Sequence, residues 1–237
     1  MVNKMPLHVG IIPDGNRRFA KRLMKQPWRG HEWGVGKFRS VLEWCSEAGI
    51  KTITMYALSM ENIKKRPKRE INYIYSLAMR EIKDMLGFGS FVFKNRVKVR
   101  FFGFLGMLPE ELREKMAELS EKTEKFSGYF LNIGIAYGGR QEILDACRSI
   151  ACEAALHKLN PENLDESMFK KYLQTNGCQD PDLIIRTGGE KRISNFLLFQ
   201  SAYSELAFID SFWPELTKRQ FFSAISSFSR RERRMGK

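Results

Sequence analysis

The chain has 237 residues, of which 43% are hydrophobic and 28% charged; this is ordinary for a folded soluble protein, with room for one large α/β domain or two small ones. Its 40 basic and 27 acidic side chains give a formal net charge of +13, which favours nucleic acid, anionic lipid or a phosphorylated substrate as partner. The four cysteines form no CxxC pair, which argues against a zinc site and favours reduced thiols in the cytoplasm. No apolar stretch is long enough for a signal peptide or a transmembrane helix.

Strand-like and helix-like segments alternate along the chain. In order, the patterns predict a strand at 7–12, a basic helix soon after it, a helix at 31–48, a strand at 52–57, a helix at 67–86, a strand at 97–102, a helix at 109–125, a strand at 129–137, a helix at 140–156, strands at 183–186 and 206–209, and a helix from 217 into 230–234. This alternation indicates a mainly parallel sheet covered by helices, and we predict a single domain over residues 1–237. Ligands of such sheets bind beyond the carboxyl ends of the strands.

The first candidate site follows the first strand, where Asp14, Gly15 and Asn16 precede Arg17 and Arg18. Free backbone N–H groups at a helix start bind anions, and the glycine would let a phosphate approach closely. The carboxylate of Asp14 could hold Mg²⁺, and the two arginines could add charged hydrogen bonds. An aspartate N-cap followed by a solvated basic helix would show the same residues.

The second candidate site follows the strand at 183–186. Arg186, Arg192 and Ser194 offer two guanidinium groups and a hydroxyl, enough to bind a diphosphate, and Glu205 follows in a segment that could return to the same edge. A surface turn with paired arginines is the alternative. We expect the two phosphate-binding clusters to lie at opposite ends of the α/β domain.

Other patterns are weaker. The charged segment 59–67 also follows a strand, but a plain loop before a helix would look the same. Gly34 and Gly36 precede Lys37 without the Walker spacing, and they lie in a helical pattern that indicates close packing. The chain has no Asp-Asp pair, which excludes the DDxxD motif of trans-prenyltransferases.

Several blocks, in order and at matching separations, resemble the cis-prenyltransferase family, which includes undecaprenyl and dehydrodolichyl diphosphate synthases. The resemblance covers about residues 8–236. Its blocks are the start Asp14-Gly15-Asn16 with Arg18, then Gly30-His31, Tyr56-Ala57 with Ser59 to Asn62, Tyr137 to Arg140, Arg186 to Gln200, Ala202 to Leu206, and Trp213-Pro214.

The resemblance implies six parallel strands ringed by helices, a homodimer, and Mg²⁺-dependent condensation of an allylic diphosphate with isopentenyl diphosphate to a cis-polyprenyl diphosphate. It implies catalytic roles for Asp14, Ser59, Asn62 and His31, and Mg²⁺ bound by Asp14 and Glu205. Substrate binding is expected at Gly15, Asn16, Arg17, Arg18, Phe19, His31, Ser59, Met60, Glu61, Ile63, Arg66, Arg186, Arg192, Ile193 and Ser194. Asn62, Ser59 or the diphosphate itself could assist the proton loss. The tail Arg234-Met235-Gly236 resembles a family motif that reaches toward the active site across the dimer.

Some positions depart from the family pattern, namely Arg17, Pro27, Ile63, Phe104, Ala136 and a longer loop to Arg66. Most of them lie near the expected allylic pocket, so they leave open the donor, the acceptor and a branched coupling. A non-catalytic subunit of a two-component enzyme is a second alternative, but such subunits lose residues that this chain keeps. A nucleic-acid-binding protein is a third, and no recognised motif supports it.

A growing prenyl chain must be shielded from water, because each buried CH₂ contributes roughly 0.8 kcal/mol. The apolar faces of the helices at 31–48 and 67–86, with Phe91 and Phe93, are the candidate walls of a tunnel. Ordinary core packing would explain any one of these residues equally well. The basic excess favours at most peripheral association with anionic membranes.

Overall fold

The computed structural model describes residues 5–230. Within this range six β-strands alternate with α-helices. The strands are β1 (His8–Ile12), β2 (Thr52–Ser59), β3 (Val97–Phe102), β4 (Tyr129–Tyr137), β5 (Leu183–Arg186) and β6 (Glu205–Phe208). The helices are α1 (Asn16–Arg22), α2 (Gly30–Glu47), α3 (Met60–Lys65), α4 (Lys68–Leu86), α5 (Phe91–Lys94), α6 (Glu110–Thr123), α7 (Gly139–Ala155), α8 (Glu166–Tyr172) and α9 (Lys218–Ser229).

The strands form one sheet in the order β3-β4-β2-β1-β5-β6, and each neighbouring pair is parallel. The predicted six-stranded, mainly parallel α/β fold is therefore confirmed. Because all strands run the same way, their carboxyl ends lie along one edge. The order reverses around β1, so the loops after β1, β2 and β5 meet at the centre of that edge.

The predicted elements agree with the structure except in detail. The strand predicted at 52–57 continues to Ser59, and the strand predicted at 206–209 begins at Glu205. The pattern did not predict α3, α5 and α8, which are too short for a clear apolar period. The last helix ends at Ser229, and the rest of its predicted course, residues 231–234, lies outside the described residues.

Alternation along β1 separates the hydrophobic core into two parts. Val9 and Ile11 belong to the larger part, between the sheet and the layer that holds α2, α4, α6 and α9. Ile12 belongs to a smaller cluster on the other face, with Tyr56, Tyr137 and Phe196. No helix within residues 5–230 is both long and apolar enough to cross a membrane.

Candidate active site

The turn after β1 holds Asp14 at the carboxyl edge of the sheet. Gly15 is the N-cap of α1 with φ 105°, and a Cβ there would lie 2.7 Å from the ring of Phe212. The Asp14 carboxylate accepts a 2.6 Å hydrogen bond from the Gly15 N–H and makes no cap bond to the first turn of α1. The alternative of a simple aspartate N-cap is therefore excluded, and this carboxylate is available for other partners.

Asp14 lies against the turn that follows β5. Its main-chain N–H donates to the Thr187 hydroxyl at 3.0 Å, and its carboxylate Oδ2 accepts from Arg186 Nη2 at 2.8 Å. Arg18 Nη2 lies 3.3 Å from the same oxygen. The expectation that the two clusters lie at opposite ends of the domain is wrong. They are in contact because β1 and β5 are paired, with Ile12 opposite Arg186.

The two arginines of the second cluster differ in environment. The Arg186 side chain is buried, and its Nη1 donates to the Arg192 carbonyl at 2.5 Å and the Ser194 hydroxyl at 2.7 Å. The Arg192 side chain is 59% exposed, and its guanidinium pairs with Glu190. Arg186 thus organises the loop, whereas Arg192 presents its charge at the pocket surface.

Another group of basic side chains, separate from Arg186 and Arg192, surrounds Glu70, a carboxylate that the sequence analysis missed. Glu70 is 2% exposed, and its Oε1 lies 3.2 Å from Arg66 Nη1, 3.3 Å from His31 Nε2 and 3.5 Å from Arg17 Nε. These three partners come from α1, α2 and the loop before α4. The spacing of four residues between Arg66 and Glu70, at the start of a predicted helix, was the signal that could have found it.

The charges of this cluster are mutually stabilised. Burial alone would raise the pKa of Glu70, but the hydrogen bond with His31 and the charges of Arg66 and Arg17 outweigh it and lower the pKa. Burial lowers the pKa of His31, although Glu70 opposes this effect. Glu70 is therefore an anion and His31 is neutral at pH 7, and the cluster keeps the positive charge of its arginines.

The loop after β2 contributes a third group. Ser59 caps α3 by accepting a 3.1 Å hydrogen bond from the Asn62 N–H. Glu61 accepts a 2.7 Å bond from the side chain of Asn195, whose Oδ1 accepts from the main chain of Arg140. Asn195 thus connects the loops after β2, β4 and β5. Sequence reasoning did not assign Asn195 or Arg140, although both lie inside quoted motifs.

Most of the predicted site residues line one polar pocket. It is bordered by Pro13, Asp14, Asn16, His31, Tyr56, Ser59, Glu61, Asn62, Arg66, Arg140, Arg186, Arg192, Ser194 and Asn195. Gly15, Arg17 and Arg18 border an adjoining depression. Asn16 Oδ1 and Arg186 Nε are buried and have no hydrogen-bond partner within the described chain. Buried polar atoms of this kind are rare in folded proteins, and here they lie beside a pocket.

Four residues expected to bind substrate lie outside this lining. The Phe19 ring packs against Trp33 at 5.3 Å, and Met60 is buried in the core. Ile63 packs on the larger core cluster and Ile193 on the smaller one. Their positions indicate that these four side chains support the walls of the site from behind.

Glu205 does not join Asp14 within the chain. It begins β6 opposite Leu183, the first residue of β5, whereas Asp14 follows the carboxyl end of β1. The expectation that the segment of Glu205 returns to the same edge is wrong, because β6 runs parallel to β5 and starts at the far edge. The tail 234–236 lies outside the described residues.

The donor set at Asp14 fits Mg²⁺ in one particular way. Residues 5–230 contain no group of three His, Cys, Asp or Glu side chains that could hold a metal ion alone. Mg²⁺ commonly binds through one or two carboxylates together with substrate phosphates and water. A single carboxylate beside a cationic pocket matches that mode.

An apolar cavity adjoins the polar pocket and shares Pro13, Asn16, His31 and Ala57 with it. It is lined from α2 by Gly34, Val35 and Phe38, from α4 by Ile74, Leu77, Ala78, Glu81, Ile82 and Met85, and from the sheet by Met55, Phe101, Ile133 and Ile135. Phe91 borders a separate outer groove, and Phe93 packs on Phe126. The predicted faces of α2 and α4 thus enclose space, while the two phenylalanines do not.

Close packing at the cavity mouth depends on one of the two glycines singled out in α2. A Cβ on Gly34 would lie 2.6 Å from Asn16 Oδ1, whereas one on Gly36 would meet nothing within 4 Å. The expectation of close packing is confirmed for Gly34 and wrong for Gly36.

A cationic pocket that opens into an apolar cavity, at the carboxyl edge of a parallel sheet, defines a protein that binds amphiphiles with an anionic head and a hydrocarbon tail. Comparison with known proteins makes this class specific. A prenyltransferase family model, described as "Putative undecaprenyl diphosphate synthase", matches residues 12–236. The chain belongs to this family, as its motifs predict.

The similar proteins agree with one another. The chain is 47% identical over 234 residues to a tritrans,polycis-undecaprenyl-diphosphate synthase (geranylgeranyl-diphosphate specific) of Methanopyrus kandleri, covering 99% of this chain and 86% of the relative. It is 48% identical over 232 residues to the protein of the same name in Thermoplasma volcanium, covering 98% and 89%.

Solved structures share the fold. A lavandulyl diphosphate synthase from Lavandula x intermedia, in complex with dimethylallyl diphosphate, has a TM-score of 0.90 and 30% identity over 98% of this chain and 99% of that one. A probable undecaprenyl diphosphate synthase from Campylobacter jejuni has a TM-score of 0.80 and 34% identity over 99% and 100%.

Proposed function

We propose that the protein condenses geranylgeranyl diphosphate with successive isopentenyl diphosphate units, with Mg²⁺, to form a cis-polyprenyl diphosphate. The observation that carries this proposal is the wall shared by the two cavities, at Pro13, Asn16, His31 and Ala57. A prenyl diphosphate needs both environments joined at its first carbon. The names of the two similar synthases of Methanopyrus kandleri and Thermoplasma volcanium support the geranylgeranyl primer.

In this proposal two sets of basic side chains each hold one diphosphate. Arg17, Arg18 and Arg66, with the main chain at Gly15 and Asn16, hold the allylic diphosphate, and the neutral imidazole of His31 can bond to it. Arg192 and Ser194, positioned by Arg186, hold isopentenyl diphosphate. Bidentate guanidinium groups suit phosphate oxygens, and Asp14 contacts one arginine of each set, Arg18 and Arg186.

The reaction then follows from the charges. As the allylic C–O bond breaks, negative charge grows on the leaving diphosphate, and the arginines stabilise it. Mg²⁺ held by Asp14 would add Lewis-acid stabilisation of that charge. The double bond of isopentenyl diphosphate attacks the allylic carbon and a proton is lost, for which Ser59, Asn62 and the diphosphate are the candidate acceptors.

We also propose a homodimer, located in the cytoplasm with at most peripheral membrane association. Among residues 5–230 β6 is an edge strand, and Leu206 with the nearby Tyr203 exposes apolar surface beside it, which supports the dimer. The four cysteines are unpaired thiols, as a reducing compartment requires.

The test is incubation of the purified chain with labelled isopentenyl diphosphate, Mg²⁺ and a panel of allylic primers, followed by chromatography of the products. We expect a polyprenyl series that grows from geranylgeranyl diphosphate and stops when the metal is chelated. No incorporation with any primer would contradict the proposal and favour a subunit that needs a catalytic partner.

A second candidate function is a branched, non-head-to-tail coupling. It is favoured by the TM-score of 0.90 to a lavandulyl diphosphate synthase. The same chromatography after incubation with labelled dimethylallyl diphosphate and no isopentenyl diphosphate separates the two, because a branched coupling gives a single short labelled product from two allylic diphosphates.

A further inference from the structure

Among the described residues that line the apolar cavity one is charged, and it lies at the end distant from the polar pocket. Glu81 lies on the same face of α4 as Ile74, Leu77, Ala78 and Ile82, and its side chain is only 11% exposed. Together with Met85 it also borders a groove on the outside of the molecule. Glu81 therefore forms part of the partition between the cavity and that groove.

Arg39 of α2 holds this carboxylate from the outer side. Its Nε lies 2.9 Å from Glu81 Oε1 and its Nη2 lies 2.6 Å from Oε2, a bidentate pair. Nη2 also bonds to Asp84 at 2.5 Å. Arg39 borders the outer groove and is absent from the residues that line the cavity. The pair thus joins α2 to α4 where the cavity ends.

The position of the pair limits the length of the apolar space. Glu70, in the cationic cluster at the cavity mouth, and Glu81 lie on one helix. At a rise of about 1.5 Å per residue their Cα atoms are about 16 Å apart along α4. A hydrocarbon chain anchored by its diphosphate at the mouth therefore reaches the Arg39–Glu81 pair as it grows.

We propose that the Arg39–Glu81 ion pair is the barrier that determines product length, an inference that rests on the proposed function. A prenyl chain that extends past Met85 must separate the two side chains. The carboxylate then loses its bidentate partner beside hydrocarbon, where water cannot replace the bonds. Each further isoprene unit gains apolar burial only after this cost is met.

The test replaces the charges and keeps the volume. In Arg39→Met/Glu81→Met both side chains remain long and apolar, a change that buried pairs often tolerate without loss of stability. With geranylgeranyl and isopentenyl diphosphates we expect the most abundant product to be longer by at least one isoprene unit. Glu81→Gln, which keeps the shape and weakens the pair, should give a smaller shift in the same direction.

Asp84→Asn is the matched control, because it removes a charge bonded to the same arginine but outside the cavity. Its products should match those of the unmodified protein. Unchanged or shorter products from a folded Arg39→Met/Glu81→Met variant would overturn the proposal. Lower thermal stability with unchanged products would do so too, since it assigns the pair a purely structural role.

A binding measurement separates this proposal from the proposed function. Calorimetry with unreactive prenyl thiodiphosphates of increasing length needs no turnover. The double variant should bind a ligand longer than the cavity more tightly by about tenfold or more, and geranylgeranyl thiodiphosphate with unchanged affinity. If neither protein binds any prenyl ligand, the proposed function fails. If the unmodified protein and the double variant bind ligands of every length with the same affinity, the proposed barrier is refuted and the proposed function is not.

Discussion

Asp14 receives contacts from its own turn, from Arg18 on α1 and from Arg186 on β5. We expect Asp14→Ala to lower kcat by several orders of magnitude, because one lost group that stabilises transition-state charge already costs about 10²–10³. Steady-state turnover measures the effect, and circular dichroism checks the fold. Near-normal turnover by a folded variant would remove Asp14 from the proposed metal site.

Arg192 differs from Arg186 in that its guanidinium is half exposed and lies at the pocket surface. Lysine keeps the charge but cannot form two parallel hydrogen bonds to a diphosphate. Arg192→Lys should therefore raise KM for isopentenyl diphosphate far more than KM for the allylic substrate. The allylic KM of the same variant is the internal control, and equal increases would argue against separate sites.

The ion pairs of Glu70 predict how the stability of the folded protein depends on pH. Its pKa is lowered in the folded protein, so its ionised form stabilises the fold above the ordinary glutamate pKa of about 4.3, and this contribution is lost as the pH falls below that value. Thermal unfolding of the unmodified protein should show this loss. Glu70→Gln, which leaves three basic side chains without their carboxylate, should be less stable at pH 7 by up to about 3 kcal/mol.

The difference in stability between the unmodified protein and Glu70→Gln, followed as a function of pH, is the control for this prediction. It should shrink as the pH falls, because protonation removes the same charge from the unmodified protein. A difference that stays constant from neutral to acidic pH would show that the charge of Glu70 contributes nothing to folding.

Helices α2 and α4 are the elements that enclose the apolar cavity, and Ala78 is a small residue on its wall. Ala78→Leu adds three carbons inside the space that a prenyl chain would occupy. We expect shorter products with the first condensation retained, measured by chromatography as in the assay above. Ser76→Leu adds a larger apolar side chain on the exposed face of the same helix and should leave product length unchanged.

A scan decides whether this assignment is correct. If large residues at every cavity-lining position of both helices leave product length unchanged, the growing chain lies elsewhere.

The backbone conformation of the loop after β5 is a feature that the sequence did not predict. Ser194, Asn195 and Leu197 all have positive φ angles, of 50°, 68° and 45°, although none is glycine. Such conformations cost free energy and persist only where surrounding contacts compensate. Here Arg186 bonds to Ser194, and Asn195 bonds to Glu61 and Arg140. No local pattern predicts this backbone, because its compensation comes from distant parts of the chain.

At the scale of the whole molecule, the charge of +13 makes a prediction about membranes. Basic side chains near an anionic surface contribute roughly 1 kcal/mol each, and salt screens them. The protein should sediment with anionic vesicles at low ionic strength and be released from them by salt. It should not sediment with zwitterionic vesicles. Binding that persists in high salt would mean that apolar insertion is the main attraction.

The sequence by itself determined the elements and the family. Apolar periodicity identified the strands and the long helices, since period 2 and period 3.6 are local properties of the backbone. The ordered motifs identified a cis-prenyltransferase-like chain, and most residues of those motifs line one pocket. These inferences needed only residue types and their spacing along the chain.

Only the tertiary structure decided which of these residues meet. It joined Asp14 to Arg186, gathered three basic side chains around Glu70 and put Glu205 at the far edge of the sheet. Strand order is the physical reason. Ile12 and Arg186 are neighbours because β1 and β5 pair across the sheet, and such pairing depends on how whole layers bury their apolar faces.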